Sequence, residues 1–592
     1  MIQSDSQSVL ALDSAGAAPA RSPVERSPDA TVPGVFREDR FFLVLSVFIG
    51  IFSGLAVVCF RFAIDWCRIE LLGSSGDISG LRLLLAPAIA GLAIAALVIH
   101  VFPKAPGSGV NQTKAALYIY NGYIPLRTAV GKFVTAALAI GSGHSLGPED
   151  PSLQIGASLA SALGRRARLS RDRTRLIAPV GAAAGLAAAF NAPISAVLFV
   201  IEEVIGRWTA GILGSVVLAA VSSVVVMRWF LGSAPLFRIP AVQLEHPSEL
   251  LAYSVLGAVG GLLSVVFAAG IGRLRQWCAA WPRWTRYFQP ALAGLLIGVI
   301  AWLGAPQIMG AGYRAIDQAM HGQFTWQFLG VLAGLKLLAT LFSFVSGTPG
   351  GMFAPTLFIG AMLGSAVAGA EHVVLPGLVA EPGTYALVGM GVLFAGFLRA
   401  PMTSVFMVLE VSGNYSIILP VIVANTIAYL ISRGLQPTPI FDVLTRQDGL
   451  QLPSMEEMRE MDIPRVEDAM RPARDLVLDG DDPVGRVLQS VRRHMADSML
   501  VHLKPDGWTV IGRKEIERIA TDGNHAAKLR SVFSRNLAPL LYPDHPLEMA
   551  LRYIDRYKLL PVVSRANPGK LEGVISECDV LKTYRDLGEP AD

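Results

Sequence analysis

Three glycine-rich segments, each opening an apolar run, carry the residues best suited to chemistry. They are Gly107-Ser108-Gly109 before Val110, Gly147-Pro148-Glu149-Asp150-Pro151, and Gly350-Gly351-Met352-Phe353-Ala354-Pro355. A helix that starts at such a segment offers free backbone N–H groups and the positive end of its dipole, and glycine lets a ligand approach the main chain. An anion moved out of water faces an idealised cost on the order of 20 kcal/mol at low dielectric. One helix start returns only about 0.3–1 kcal/mol, or about 2 in a buried geometry. Several openings must therefore converge on the same ion. A single motif of this kind serves close helix packing equally well; three of them, two related by an internal repeat, favour an anion site. The neighbouring acids Glu149 and Asp150 add titratable groups, which behave as a coupled pair. Successive helical residues point about 100° apart, so one acid projects into the anion path. The other caps the start of its helix or lies on its flank. His144 and Ser145 precede them, but neighbours on one segment do not readily form a nucleophile–base pair.

The elements that position these residues come in two copies. Lys132–Ala162 and Lys336–Ala366 align without a gap at an offset of 204, matching Lys132/Lys336, Ser142/Ser346, Gly143/Gly347, Gly147/Gly351, Pro151/Pro355 and Ile155-Gly156-Ala157/Ile359-Gly360-Ala361. At an offset of 208, Asn191-Ala192-Pro193 through Glu202 matches Arg399-Ala400-Pro401 through Glu410. Glu202 has a repeat partner, whereas Glu203 aligns with Val411 and is specific to the first half. Duplicated membrane halves commonly place their site where the halves meet.

Composition supports a membrane chain: of 592 residues 52% are hydrophobic and 16% charged, against roughly 25% charged in soluble proteins. Apolar stretches at Phe41–Phe60, Leu81–Phe102, Ile212–Leu231, Leu250–Ile271 and Phe288–Leu303 reach or approach the length that crosses a bilayer, about 20 residues. Val110–Tyr120, Leu153–Leu163, Ile194–Ile201, Thr356–Ala366 and Met402–Leu409 read as shorter, broken helices of the kind that stop at a buried site. A net charge of +4 points to no nucleic-acid partner, and four isolated cysteines give neither a disulfide framework nor metal-ligand spacing. Arg165, Arg166, Arg168, Arg171, Arg173 and Arg175 place one connection in the cytoplasm. The expected organisation is a disordered cytoplasmic arm over 1–38, a membrane transport domain over 39–446, a linker over 447–461 and a cytoplasmic α/β domain over 462–592. The last alternates strands (Ser498–Leu503, Thr509–Ile511, Leu559–Val563, Leu571–Ile575) with helices (Pro483–His494, Pro546–Tyr557) in two similar halves.

Together, GSGV at Gly107–Val110, GSGHSLGPEDP at Gly141–Pro151, NAPISAVLFVIEE at Asn191–Glu203 and GGMFAP at Gly350–Pro355 resemble the CLC family of chloride channels and transporters. The resemblance implies an all-α polytopic membrane domain built from two inverted repeats, followed by a cytoplasmic α/β pair of CBS modules. It implies a homodimer in the inner (plasma) membrane with both termini cytoplasmic, each subunit moving chloride and protons in antiport. In that pattern the Ser108 hydroxyl and the N–H groups of Met352 and Phe353 hold the central chloride. Glu149 is the outer gate and Glu203 the inner proton acceptor; a carboxylate paired with Arg207 on the cytoplasmic rim is the alternative for Glu203. Gly573-Val574-Ile575-Ser576-Glu577-Cys578-Asp579 resembles the turn at which CBS modules hold an adenine nucleotide, with Ser576 and Asp579 as ligands; Thr509–Glu515 keeps the acid but loses the serine. No cofactor is required for transport; ATP, ADP or AMP at the CBS pair is the candidate ligand.

The sequence also departs from the family pattern. Pro148 and Asp150 flank the gate where a basic residue and glycine are usual, Asn111 stands where a proline usually follows, and Phe441 replaces the tyrosine whose hydroxyl meets the central chloride. A passive chloride channel on the same fold is the nearest rival, favoured by Phe441 and opposed by Glu203. A fluoride exporter of the same superfamily fits Ser108 and Phe441 less well.

Overall fold

The computed structural model describes residues 33–73, 80–167, 169–206, 210–237, 247–374, 382–450, 452–455, 464–473, 477–494, 498–503, 507–521, 525–533, 537–565 and 567–588. The chain forms two compact units, Met1–Arg459 and Glu460–Asp592.

The first unit is helical. In order it holds α1 (Pro33–Leu72), α2 (Gly80–Ala96), α3 (Gly109–Tyr118), α4 (Leu126–Gly141), α5 (Glu149–Arg166), α6 (Arg171–Phe190), α7 (Pro193–Phe199), α8 (Ala210–Leu231) and α9 (Glu249–Ala279). There follow α10 (Gln289–Trp302), α11 (Tyr313–Met320), α12 (Trp326–Val345), α13 (Phe353–Val374), α14 (Pro382–Leu398), α15 (Pro401–Ser412), α16 (Ile418–Leu435) and α17 (Ile440–Gln447). Among the described residues, seven helical stretches are long and apolar enough to cross a membrane. The first helix takes in Pro33–Glu38 from the stretch expected to be an arm; residues 1–32 lie outside the described residues. Continuous π turns follow α2 at Leu97–Val101 and α7 at Val200–Ile205.

The duplication read from the sequence recurs as duplicated contacts. The Lys132 ammonium donates to the carbonyls of Ala105 (3.0 Å) and Gly107 (2.6 Å). Its partner Lys336 donates to those of Ile308 (2.7 Å) and Gly310 (2.6 Å). Each buried cation thereby fixes the glycine loop ahead of a short helix, α3 in one half and α11 in the other. Gly147 and Gly351 exchange N–H···O bonds of 2.8 Å as an antiparallel bridge, so the two repeats meet at their own equivalent glycines. Close packing is repeated too: Gly156 lies against Gly181 between α5 and α6, as Gly360 lies against Gly389 between α13 and α14. An added Cβ at any of the four would strike the facing backbone.

Several helices are longer than the apolar stretches that announced them, among them α1, α5, α9 and α13. Thr356–Ala366 belongs to a continuous 22-residue helix, α13. Its proline stands in the first turn, where a missing N–H costs nothing, and its glycines admit a neighbouring backbone without breaking the helix.

The second unit repeats one order of elements. A helix (Val484–His494) precedes strands β2 (Ser498–Leu503) and β3 (Gly507–Gly512), and a helix (Arg513–Thr521) follows; β1 (Val477–Asp479) runs parallel to β2. The second half places Leu547–Ile554 before β4 (Leu559–Ser564) and β5 (Asn567–Ser576), then Glu577–Gly588. A single bridge, Leu541 to Val562, takes the place of the β1 pairing among the described residues.

Candidate functional site

The three glycine-rich openings do converge, and they converge on the two acids. Glu149 and Asp150 form the first turn of α5 and are 0% and 1% exposed. Glu149 turns toward α13: its Oε2 accepts from the Ala354 N–H at 3.3 Å. Its Oε1 accepts from the hydroxyl of Tyr313, the first residue of α11. Met352 and Phe353, at the same start of α13, are buried beside this contact.

Asp150 corrects the sequence reading. It neither caps its own helix nor rests on a flank. Its Oδ1 accepts from the Gly109 N–H at 2.6 Å and the Val110 N–H at 3.2 Å, so it caps the start of α3. Ser108 is the N-cap residue of that helix, its Oγ accepting from Val110 N–H at 3.2 Å. The reason is geometric: α5 and α3 start side by side, and the free donors of α3 lie within hydrogen-bond reach of Asp150.

Beyond this level lies a cluster of rings. Phe353 contacts Phe199 edge-on with centroids 5.0 Å apart, and Phe394 stacks on Phe353 at 5.7 Å. Phe441, on α17, stands 6.4 Å from Phe199 and 6.5 Å from Phe353. Its carbonyl accepts from Asn111 Nδ2 at 3.0 Å, which ties α17 to the first turn of α3. The phenyl ring brings no hydroxyl to the cluster.

At the far side of the rings sits Glu203. Successive helical residues diverge by about 100°, so Glu202 faces α15 while Glu203 faces α3. Glu203 Oε1 accepts from the Lys114 ammonium, which lies 3.8 Å from Asp442 Oδ1 and 5.7 Å from the Phe441 ring centroid. Lys114 and Glu203 are 0% and 2% exposed, so this is a buried triad and not a rim carboxylate. Arg207, the alternative partner, lies outside the described residues. The expectation did not include Lys114, Asp442 or Tyr313. A lysine inside the apolar run Val110–Tyr120 was the available signal, since an ionisable group at membrane depth marks a functional position. Tyr313 follows Gly310-Ala311-Gly312, the counterpart of Gly107-Ser108-Gly109.

His144 and Ser145 are committed elsewhere. His144 meets the Ser142 hydroxyl (3.1 Å) and the Pro290 carbonyl (3.2 Å), and Ser145 meets the Thr340 hydroxyl (2.9 Å). In the second unit Asp579 Oδ2 accepts from Ser576 N–H (2.8 Å), the Ser576 hydroxyl (2.5 Å) and Arg471 Nε (3.0 Å). The two expected nucleotide ligands thus share one turn, with Arg471 bound across it.

Known proteins resemble the chain in sequence and fold. The family model described as "Voltage gated chloride channel" matches residues 90–433, and the CBS domain model matches residues 530–586. The H(+)/Cl(-) exchange transporter ClcA of Vibrio campbellii is 31% identical over 436 residues, which cover 71% of this chain and 92% of that protein. The crystal structure of a slow cyanobacterial Cl-/H+ antiporter aligns with a TM-score of 0.63 at 26% identity, covering 69% of this chain and 97% of that one. A eukaryotic CLC transporter aligns over 91% of this chain and 97% of its own with a TM-score of 0.59; at 19% identity it speaks for the fold alone. Helix starts meeting at buried acids, repeat-paired contacts and these matches lead to one conclusion: the chain belongs to the voltage-gated chloride channel family, the CLC channels and transporters, and carries a CBS domain near its C-terminal end.

Proposed function

We propose that the chain exchanges chloride for protons across a cell membrane, with Glu149 as the outer gate and Glu203 as the inner proton acceptor. One observation carries this reading. Two buried carboxylates stand on opposite sides of one ring cluster, linked from Ala354 through Phe353, Phe199 and Phe441 to Lys114. A buried carboxylate is costly unless it is paired and hydrogen-bonded, and a proton acceptor at each end is what a proton path requires.

Glu149 acts by competition. Ionised, it accepts from the Tyr313 hydroxyl and the Ala354 N–H, the donors that an anion at the start of α13 would seek. Protonation removes the charge that holds it there, and chloride takes the vacated donors. The swing carries the proton outward as chloride passes. Glu203, held by Lys114, receives protons from the cytoplasmic side. The ring cluster between them keeps the two acids from exchanging protons without the swing.

Antiport over a passive channel is favoured by the relatives named as H(+)/Cl(-) exchange transporters and by the Cl-/H+ antiporter structure, while another relative is named "Putative chloride channel protein ClcB-like". The remaining organisation is a homodimer in the inner (plasma) membrane with cytoplasmic termini. Ser576 and Asp579 of a CBS pair take an adenine nucleotide, which must displace Arg471 from Asp579. In liposomes given only a chloride gradient, the purified protein is expected to drive protons uphill; chloride flux without a pH change would move the assignment to a channel.

A further inference from the structure

We propose that Asp150 is a second tethered anion, seated at the start of α3 in competition with chloride for the central position. The inference rests on the chloride transport reading above. The carboxylate is 1% exposed and takes the Gly109 and Val110 N–H groups at 2.6 and 3.2 Å. Those are the donors that the α3 opening has to offer an ion. The approach is close: a Cβ on Gly109 would lie 2.7 Å from Asp150 Oδ1, so this position admits the carboxylate only because it is glycine.

Three further features fit an occupied anion position. Phe441 supplies no hydroxyl there, so its side chain leaves no donor waiting for chloride. Lys132, on α4, fixes the Ala105 and Gly107 carbonyls directly ahead of α3, which keeps a positive charge beside the opening. The repeat partner of Asp150 is Ala354, so the architecture shared by the two halves does not call for a carboxylate here. Nor does α5 use it, because Asp150 accepts from α3. A carboxylate and a chloride ion are like charges, and one set of donors holds only one of them. Chloride reaches the centre when Asp150 is displaced, so Glu149 and Asp150 gate successive positions: Glu149 at the start of α13, Asp150 at the start of α3.

The test is chloride binding to the full-length protein by titration calorimetry, comparing the parent with Asp150→Asn and Asp150→Gly, alongside chloride flux in liposomes. Asparagine removes the charge while keeping the shape, and glycine restores the residue usual in the family. Both are expected to bind chloride at least about tenfold more tightly. Phe441→Tyr should tighten binding in the Asp150→Gly background and change little in the parent, where the carboxylate already fills the position. Unchanged or weaker binding in both variants, with chloride flux intact, would make Asp150 a fixed cap of α3 and overturn the inference. Absence of chloride flux from the parent and both variants would instead remove the transport reading, and this inference with it.

Discussion

The two pairs of adjacent acids, Glu149-Asp150 and Glu202-Glu203, divide their work differently. In the inner pair Glu202 is architecture. It accepts from the Met402 N–H (3.2 Å), the Thr403 N–H (2.8 Å) and the Thr403 hydroxyl (2.6 Å) at the start of α15. Glu410 does the same for α7, accepting from the N–H groups of Ile194 (3.0 Å) and Ser195 (2.8 Å) and from the Ser195 hydroxyl (2.5 Å). Each half caps the other, contact for contact. Glu203 has no such duplicate and meets Lys114 instead. In the outer pair neither acid is duplicated, for Glu149 aligns with Phe353 and Asp150 with Ala354. The two carboxylates repeated in both halves hold the halves together; the unduplicated Glu149, Asp150 and Glu203 are the ones proposed to serve the ion or the proton.

Neutralising the unduplicated acids is expected to have the largest effect. Glu149→Ala is expected to leave chloride flux that is uncoupled from protons, and Glu203→Gln to abolish proton movement while chloride still passes. Proton coupling equal to the parent in either variant, measured by paired chloride and pH electrodes, would detach that acid from the proton path. Next in size is Lys114→Met. It leaves Glu203 and Asp442 buried without the cation between them, a loss of about 3–5 kcal/mol. The apparent melting temperature in detergent should fall, and Lys114→Arg should recover much of it; an unchanged melting temperature would show that the triad is not a closed ion pair.

The duplicated acids give a smaller and symmetrical effect. Glu202→Gln and Glu410→Gln each weaken charge-assisted bonds to a helix start, a loss of about 1.5–3 kcal/mol. Equal destabilisation with proton coupling preserved is expected, whereas a coupling defect in only one would give that acid a transport role. Smallest is the CBS turn. Asp579→Ala should weaken ATP, ADP or AMP binding to the full-length protein, and Arg471→Ala should strengthen it by freeing the Asp579 carboxylate. No adenine nucleotide binding to the parent by calorimetry would leave the turn to structural contacts.

Much of the architecture was legible because it depends on local pattern and on the repeat. The helix starts at Gly109, Glu149 and Phe353 follow from glycine and proline placement, and the Glu202/Glu410 relation from the 208-residue offset. Strands β2 to β5 of the second unit follow from short apolar runs between turn residues, whereas the three-residue β1 (Val477–Asp479) was not expected. What escaped depends on tertiary proximity. Asp150 reaches α3, 41 positions earlier in sequence, and Lys114 reaches Glu203 across 89. No spacing rule connects such pairs. The π turn at Val200–Ile205 also lacked a signal, since its hydrophobic pattern is that of an ordinary helix end. The 22-residue length of α13 was hidden because its glycines serve packing against α14, not termination.

Coupling itself is tested most directly by the reversal potential of the full-length protein in a planar bilayer under opposed chloride and proton gradients. Antiport through Glu149 and Glu203 predicts a reversal potential displaced from the chloride equilibrium value by the proton gradient, and returned to it by Glu203→Gln. A parent protein that reverses at the chloride equilibrium potential, whatever the proton gradient, would contradict it.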